Sequence, residues 1–186
     1  MKKSYNLTFP LIEMALYAAL IALSVLYIRI PIPSPNNHFI HPGNALVALS
    51  ILLMGFRRGA IAGIGGLVIF DIIAGYYTSI PTVIIESLVT LLVMQSVYQG
   101  VFRKKDTVPA LITVGIVAGA TKVAMIFFTH WIKAIIISNM TVKAAALYAF
   151  SGLTAGTINA VATALLVPTL YFLFKPIVKR YHPVGE

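Results

Sequence analysis

Long apolar runs, separated by short clusters of lysine and arginine, dominate this chain and restrict what it can fold into. A helix needs about 20 apolar residues to cross the roughly 30 Å hydrocarbon core of a bilayer. The blocks here approach or exceed that length. They are continuous rather than alternating with period two, which argues against a β-barrel. Of the 186 residues, 59% are hydrophobic and 10% are charged, too little polar surface for a soluble domain of this size. The sequence reads as an all-α integral membrane protein.

The basic clusters orient it. Ten of the fourteen basic residues lie in Lys2-Lys3, Arg57-Arg58, Arg103-Lys104-Lys105, and Lys175 with Lys179-Arg180. Each interval between clusters has room for two crossings, and Lys and Arg accumulate on the cytoplasmic side. Placing every cluster in the cytoplasm gives six transmembrane helices with both chain ends inside. Their expected spans are about 8–30, 43–54, 59–74, 81–101, 108–130 and 151–174. The same distribution ties the net charge of +9 to topology rather than to nucleic acid.

Between the helices, Pro31 to Pro42 reads as an external loop that cannot stay helical. Pro81 suits the first turn of helix 4. Residues 131–150 read as a longer external segment, partly helical, and Pro176 as helping to end helix 6. The N-terminal block, Thr8 to Ile30, is followed by no small-residue cleavage site and reads as a retained helix. No linker or internal repeat is visible, so 1–186 is taken as one membrane domain. There is no cysteine, hence no disulfide and no thiol-held metal.

Small residues four apart allow helix backbones to approach closely in lipid. Such pairs are Gly59/Gly63, Gly115/Gly119 and Gly152/Gly156, expected to pack helices within the chain. Helix 1 carries two overlapping pairs, Ala15/Ala19 and Ala18/Ala22, a smooth stripe open to internal packing or to a partner's helix.

Charges in hydrocarbon face a cavity or a partner. Asp71, Glu86, Lys122 and Asn159 fall on four different helices at similar depths, all in the outer half. The inner halves are nearly free of such groups, apart from Glu13 near the cytoplasmic end of helix 1. That pattern describes a cup open outward and closed below, not an ion path, which would need polar groups at every depth. Glu86 and Lys122 are open to two roles, an internal ion pair or ligand contact. Asp71 could anchor a loop, and Asn159 could bond between helices. Phe39, Tyr76, Tyr148 and Trp131 offer faces for a planar ring. Asn44 and His130 complete the expected site, though His130 and Trp131 equally suit an interfacial belt. His38 and His41 lie three apart with no third ligand nearby, so no metal site is expected. No phosphate-binding loop, G-x-S-x-G or H-E-x-x-H pattern occurs, which disfavours an enzyme.

The stretch from His41-Pro-Gly-Asn through Gly55, then Arg58-Gly59 to Gly66 and Asp71 to Tyr76, resembles the substrate-binding S components of energy-coupling factor (ECF) vitamin transporters. The likeness is strongest to the hydroxymethylpyrimidine and riboflavin-type branch, and the helix 1 alanines match its A-x-x-x-A signature. The resemblance covers most of the chain and grows diffuse after Lys105. It implies six helices in a bacterial cell membrane, capture of a vitamin or precursor from outside, and no cofactor. It further implies docking of Ala15, Ala18, Ala19 and Ala22 on a transmembrane T component that works with two cytoplasmic ATPases. By the same resemblance Glu86, Lys122 and Asn159 would meet the substrate beneath the helix 1–2 loop. The hydroxymethylpyrimidine or pyridoxine class is favoured over riboflavin. A stand-alone secondary transporter and a purely structural membrane protein are the competing readings, although no inverted repeat supports the former.

Overall fold

The computed structural model describes residues 8–31 and 39–181. Lys2, Lys3 and His38, and most of the expected external loop from Pro31 to Pro42, lie outside them. Seven α-helices are described: α1 (Thr8–Tyr27), α2 (Gly43–Met54), α3 (Phe56–Ile73), α4 (Ile80–Gly100), α5 (Val108–Ile136), α6 (Val142–Ser151) and α7 (Leu153–Tyr181). A short antiparallel pair, β1 (Ile30–Pro31) and β2 (Phe39–Ile40), joins α1 to α2.

Four helical segments are long and apolar enough to cross a membrane: Thr8–Tyr27, Tyr77–Gly100, Val108–Ile136 and Leu153–Val178. At 12 residues, α2 is only about 18 Å long and lies almost wholly inside the protein, with Leu49 and Ser50 fully buried. Around it, Ile21, Leu91, Met94, Leu111, Val114 and Val167 make a solvent-free core. The outward faces of the long helices are also apolar, as with Leu16, Ile85, Ile116 and Leu165. A helix apolar on every side belongs in hydrocarbon.

Several sequence expectations shift at the helix ends. The turn between α2 and α3 is Gly55 alone, at φ 78°, a left-handed conformation that glycine adopts without strain. Arg57 and Arg58 therefore sit in the first turn of α3 rather than in a loop, and Arg58 reaches Glu13 at 4.0 Å. The fifth helix does not stop at His130 but runs to Ile136. Part of the expected external segment folds as α6, capped by the Thr141 hydroxyl on the Ala144 N–H. Nor does Pro176 end the last helix; Pro168 and Pro176 both lie inside α7. Lipid gives a broken backbone nothing to bond to, so transmembrane helices absorb prolines that would stop a soluble one.

Glycines set the closest helix contacts. A Cβ on Gly59 would stand 2.5 Å from the Ser50 and Ile51 backbone of α2, and one on Gly119 would stand 2.8 Å from the Ala160 carbonyl of α7. Gly66 lets α3 approach the Ala18 carbonyl of α1 in the same way. Gly152, by contrast, lies between α6 and α7, so Gly152/Gly156 is not a pair along one helix. Gly59→Ala is expected to destabilise the folded protein by about 1–3 kcal/mol through overpacking. Gly65→Ala has open space around its Cβ and serves as the matched control. Thermal denaturation of both variants in one detergent checks the contrast.

Candidate functional site

At the pole of the bundle that carries the β1–β2 hairpin, the helices part around a cavity of about 360 Å³. Val25, Leu67, Val83 and Ile126 give it apolar surface, and Phe39, Phe70 and Tyr76 form an aromatic wall. The Tyr76 ring lies 5.8 Å from Phe39 and 6.0 Å from Phe70, tilted to both. Arg29 braces that wall, its guanidinium 4.9 Å from the Phe39 ring centre and 5.4 Å from that of Phe70. Cations favour aromatic faces, the more so away from water.

Of the ten residues expected at the site, eight line this cavity: Glu86, Lys122, Asn159, Asp71, His130, Phe39, Asn44 and Tyr76. They come from β2, α2, α3, α4, α5 and α7 and from the α3–α4 turn, so the cavity exists only once the bundle is assembled. Trp131 and Tyr148 are not in the lining. Trp131 instead donates its indole N–H to the Val142 carbonyl at 3.1 Å and stacks on Phe127, joining α5 to α6. His41 and Lys133 also line the cavity. Lys133 shares a helical face with Lys122, Ile126 and His130, a signal hidden when helix 5 is ended at His130.

Three of the polar groups are tied to the protein itself. Lys122 Nζ lies 3.0 Å from Glu86 Oε2, and the Thr129 hydroxyl donates to Glu86 Oε1 at 2.5 Å. Asn159 straps the hairpin to α7, its Nδ2 donating to the Phe39 carbonyl at 2.7 Å and its Oδ1 accepting the His41 N–H at 2.9 Å. His41 Nδ1 accepts the Gly43 N–H at 3.1 Å. Burial, and then the Lys122 ammonium, push the His41 imidazole down to about 4. It is therefore neutral at physiological pH, and its proton sits on Nε2. In His130 the ring is turned the other way: Nδ1 faces the Ile126 carbonyl at 2.7 Å and must donate to it. Among the described residues no cluster of three His, Asp or Glu forms that could hold a metal ion.

The opposite pole carries Arg57-Arg58 and the α4–α5 turn with Arg103-Lys104-Lys105. There Tyr98 donates to Asp106 at 2.5 Å, and Lys175 pairs with the same carboxylate. Burial alone would raise Asp106. Hydrogen bonds from Lys175, Tyr98 and Tyr171, with the Lys175 charge, outweigh it and hold the carboxyl below the usual range.

A cavity with acid, base and amide groups at one end of an apolar bundle can hold a small polar molecule. The family model for the ECF-type riboflavin transporter S component matches residues 8–175. The chain belongs to this family. No curated protein and no solved structure matches it. As an ECF S component it is the membrane-embedded, substrate-binding subunit of a vitamin transporter, not an enzyme, and its family works in a complex with a T component and ATPases.

Proposed function

We propose that this S component captures a single-ring vitamin or precursor of the pyrimidine or pyridine class in the hairpin-side cavity. The observation that carries the reading is the lining: paired and unpaired polar groups around an aromatic wall, in about 360 Å³. That volume lies near the lower end of the roughly 300–1,000 Å³ range of small-molecule sites, which favours one ring over a larger fused system. The riboflavin named by the matching family is the second reading.

All the basic turns described lie at the pole away from the cavity. Read by the positive-inside rule, this supports a cavity open to the outside of a bacterial cell membrane, with six helices crossing and both ends inside. The T component docks on α1 through Ala15 and Ala19, which are exposed between Leu11, Leu16 and Leu23. Ala18 and Ala22 are buried and serve packing within the chain. Two ATPases complete the transporter.

Calorimetric titration of the purified subunit tests the ligand class. Hydroxymethyl-aminopyrimidine or pyridoxine is expected to bind at least about tenfold more tightly than riboflavin, a difference of about 1.4 kcal/mol. Tighter binding of riboflavin transfers the site to the second reading.

A further inference from the structure

Among the described residues, Asp71, which lines the cavity, carries a carboxylate oxygen with no hydrogen-bond partner. Asp71, near the end of α3, is 5% exposed, and its Oδ2 is buried without a hydrogen-bond partner. A buried carboxylate in that state is strongly unfavourable. Its surroundings differ from those of the other acid and the amide that depth singles out. Glu86 Oε1 already accepts the Thr129 hydroxyl and Oε2 is paired with Lys122, and each end of the Asn159 amide already has a partner in Phe39 or His41.

The Asp71 carbonyl accepts the Tyr76 N–H at 2.7 Å. The turn that carries Tyr76 is therefore mounted on the same residue as the free carboxylate oxygen. Asp71 and the aromatic wall of Phe39, Phe70 and Tyr76 line the same cavity.

We infer that Asp71 is the acid that recognises the ligand, accepting a hydrogen bond from an N–H on the edge of a planar heteroaromatic ring. Glu86 has a different task, which is to hold Lys122. Lys122 has three donors, so after Glu86 and a long contact to Ser87 at 3.4 Å it retains capacity to meet an acceptor on the same ligand. The ligand chemistry is a ring that donates at one edge and accepts at another. An exocyclic amine, a protonated ring nitrogen and a flavin imide all supply the donor. This deepens the vitamin-binding reading and rests on it.

The experiment is a titration of the wild-type protein and Asp71→Asn with hydroxymethyl-aminopyrimidine, pyridoxine and riboflavin. For whichever binds, an analogue lacking the N–H (des-amino or N-methyl) is added. The ligand-free melting temperatures of both proteins are measured alongside. Asp71→Asn is expected to weaken the parent ligand about 10- to 100-fold. The analogue should bind both proteins equally weakly. The melting temperature of Asp71→Asn should be unchanged or higher, because the buried oxygen that lacks a hydrogen-bond partner no longer carries charge.

Equal affinity of the parent ligand for both proteins overturns the inference and leaves Asp71 to a bound water. A lower melting temperature, with the preference for parent over analogue intact, also overturns it and assigns Asp71 to anchoring the turn. Failure of the vitamin reading looks different. The wild type then binds none of the three probes, whereas a co-purified pyridine or pyrimidine without any N–H overturns the Asp71 inference alone.

Discussion

Replacing Ala19 by tryptophan is expected to abolish transport while leaving substrate binding intact. Ala19 and Ala15 lie one turn apart on the exposed face of α1, with leucines on either side. Helices in lipid gain little from apolar burial, since the tails are as apolar as leucine; they associate where small residues let backbones meet. An indole on that stripe would hold a partner helix away from the whole contact. Apart from buried Val25, six residues farther along α1, the cavity residues are on other elements, so ligand affinity should stay within about twofold, a few tenths of a kcal/mol. Co-purification with the T component and ATPases should be lost, and uptake by cells should fall to background. Ala18→Trp tests the division of the alanine stripe. Ala18 is buried beside Gly66 of α3, so this variant should fail by losing folded protein. If Ala19→Trp keeps both complex and uptake, α1 does not dock by this face.

The second large effect concerns Glu86 and Lys122. Both are nearly buried and lie 3.0 Å apart. Removing one member of such a pair leaves an uncompensated charge and costs about 3–5 kcal/mol, whereas replacing both with neutral groups of similar size is often nearly neutral. Lys122→Met should therefore melt far below the wild type, and Glu86→Gln/Lys122→Met should recover most of the loss. Affinity is expected to follow a different course. If Lys122 meets the ligand, the double variant folds but binds about 10- to 100-fold more weakly. If the pair is only a brace, the stabilised double variant binds as the wild type does. The comparison separates the two roles that the sequence leaves open for these residues.

Much of this arrangement is legible in the sequence because membrane helices obey few rules. Block length gives the four longest helices, and the described basic turns gather at one pole. With direction assigned, Asp71, Glu86, Lys122 and Asn159 fall to one depth, and the structure brings all four around one cavity. The features that escape have local physical causes. Proline 176 signals a helix end by soluble-protein rules, which lipid overrides. Closing helix 5 at His130 conceals Lys133 and turns Trp131 into an apparent site residue, when its indole is committed to α6.

Depth also cannot tell a satisfied polar group from an unsatisfied one. Asn159 lines the cavity, and its amide also straps the hairpin. The Asp71 Oδ2, buried with no hydrogen-bond partner among the described residues, gives no sign of itself in the sequence. Arg29 carries no sequence signal at all. Its place behind Phe39 and Phe70 depends on how the hairpin packs on α3.

The most direct measurement is the mass spectrum of small molecules released from the protein after purification from membranes of cells that supply its ligand. The expected result is one pyrimidine or pyridine vitamin or precursor per chain, carrying at least one N–H donor and one acceptor. That molecule should be lost from Asp71→Asn and kept by Ala19→Trp. Recovery of only lipid, or of a molecule retained equally by wild type and Asp71→Asn, would contradict the account.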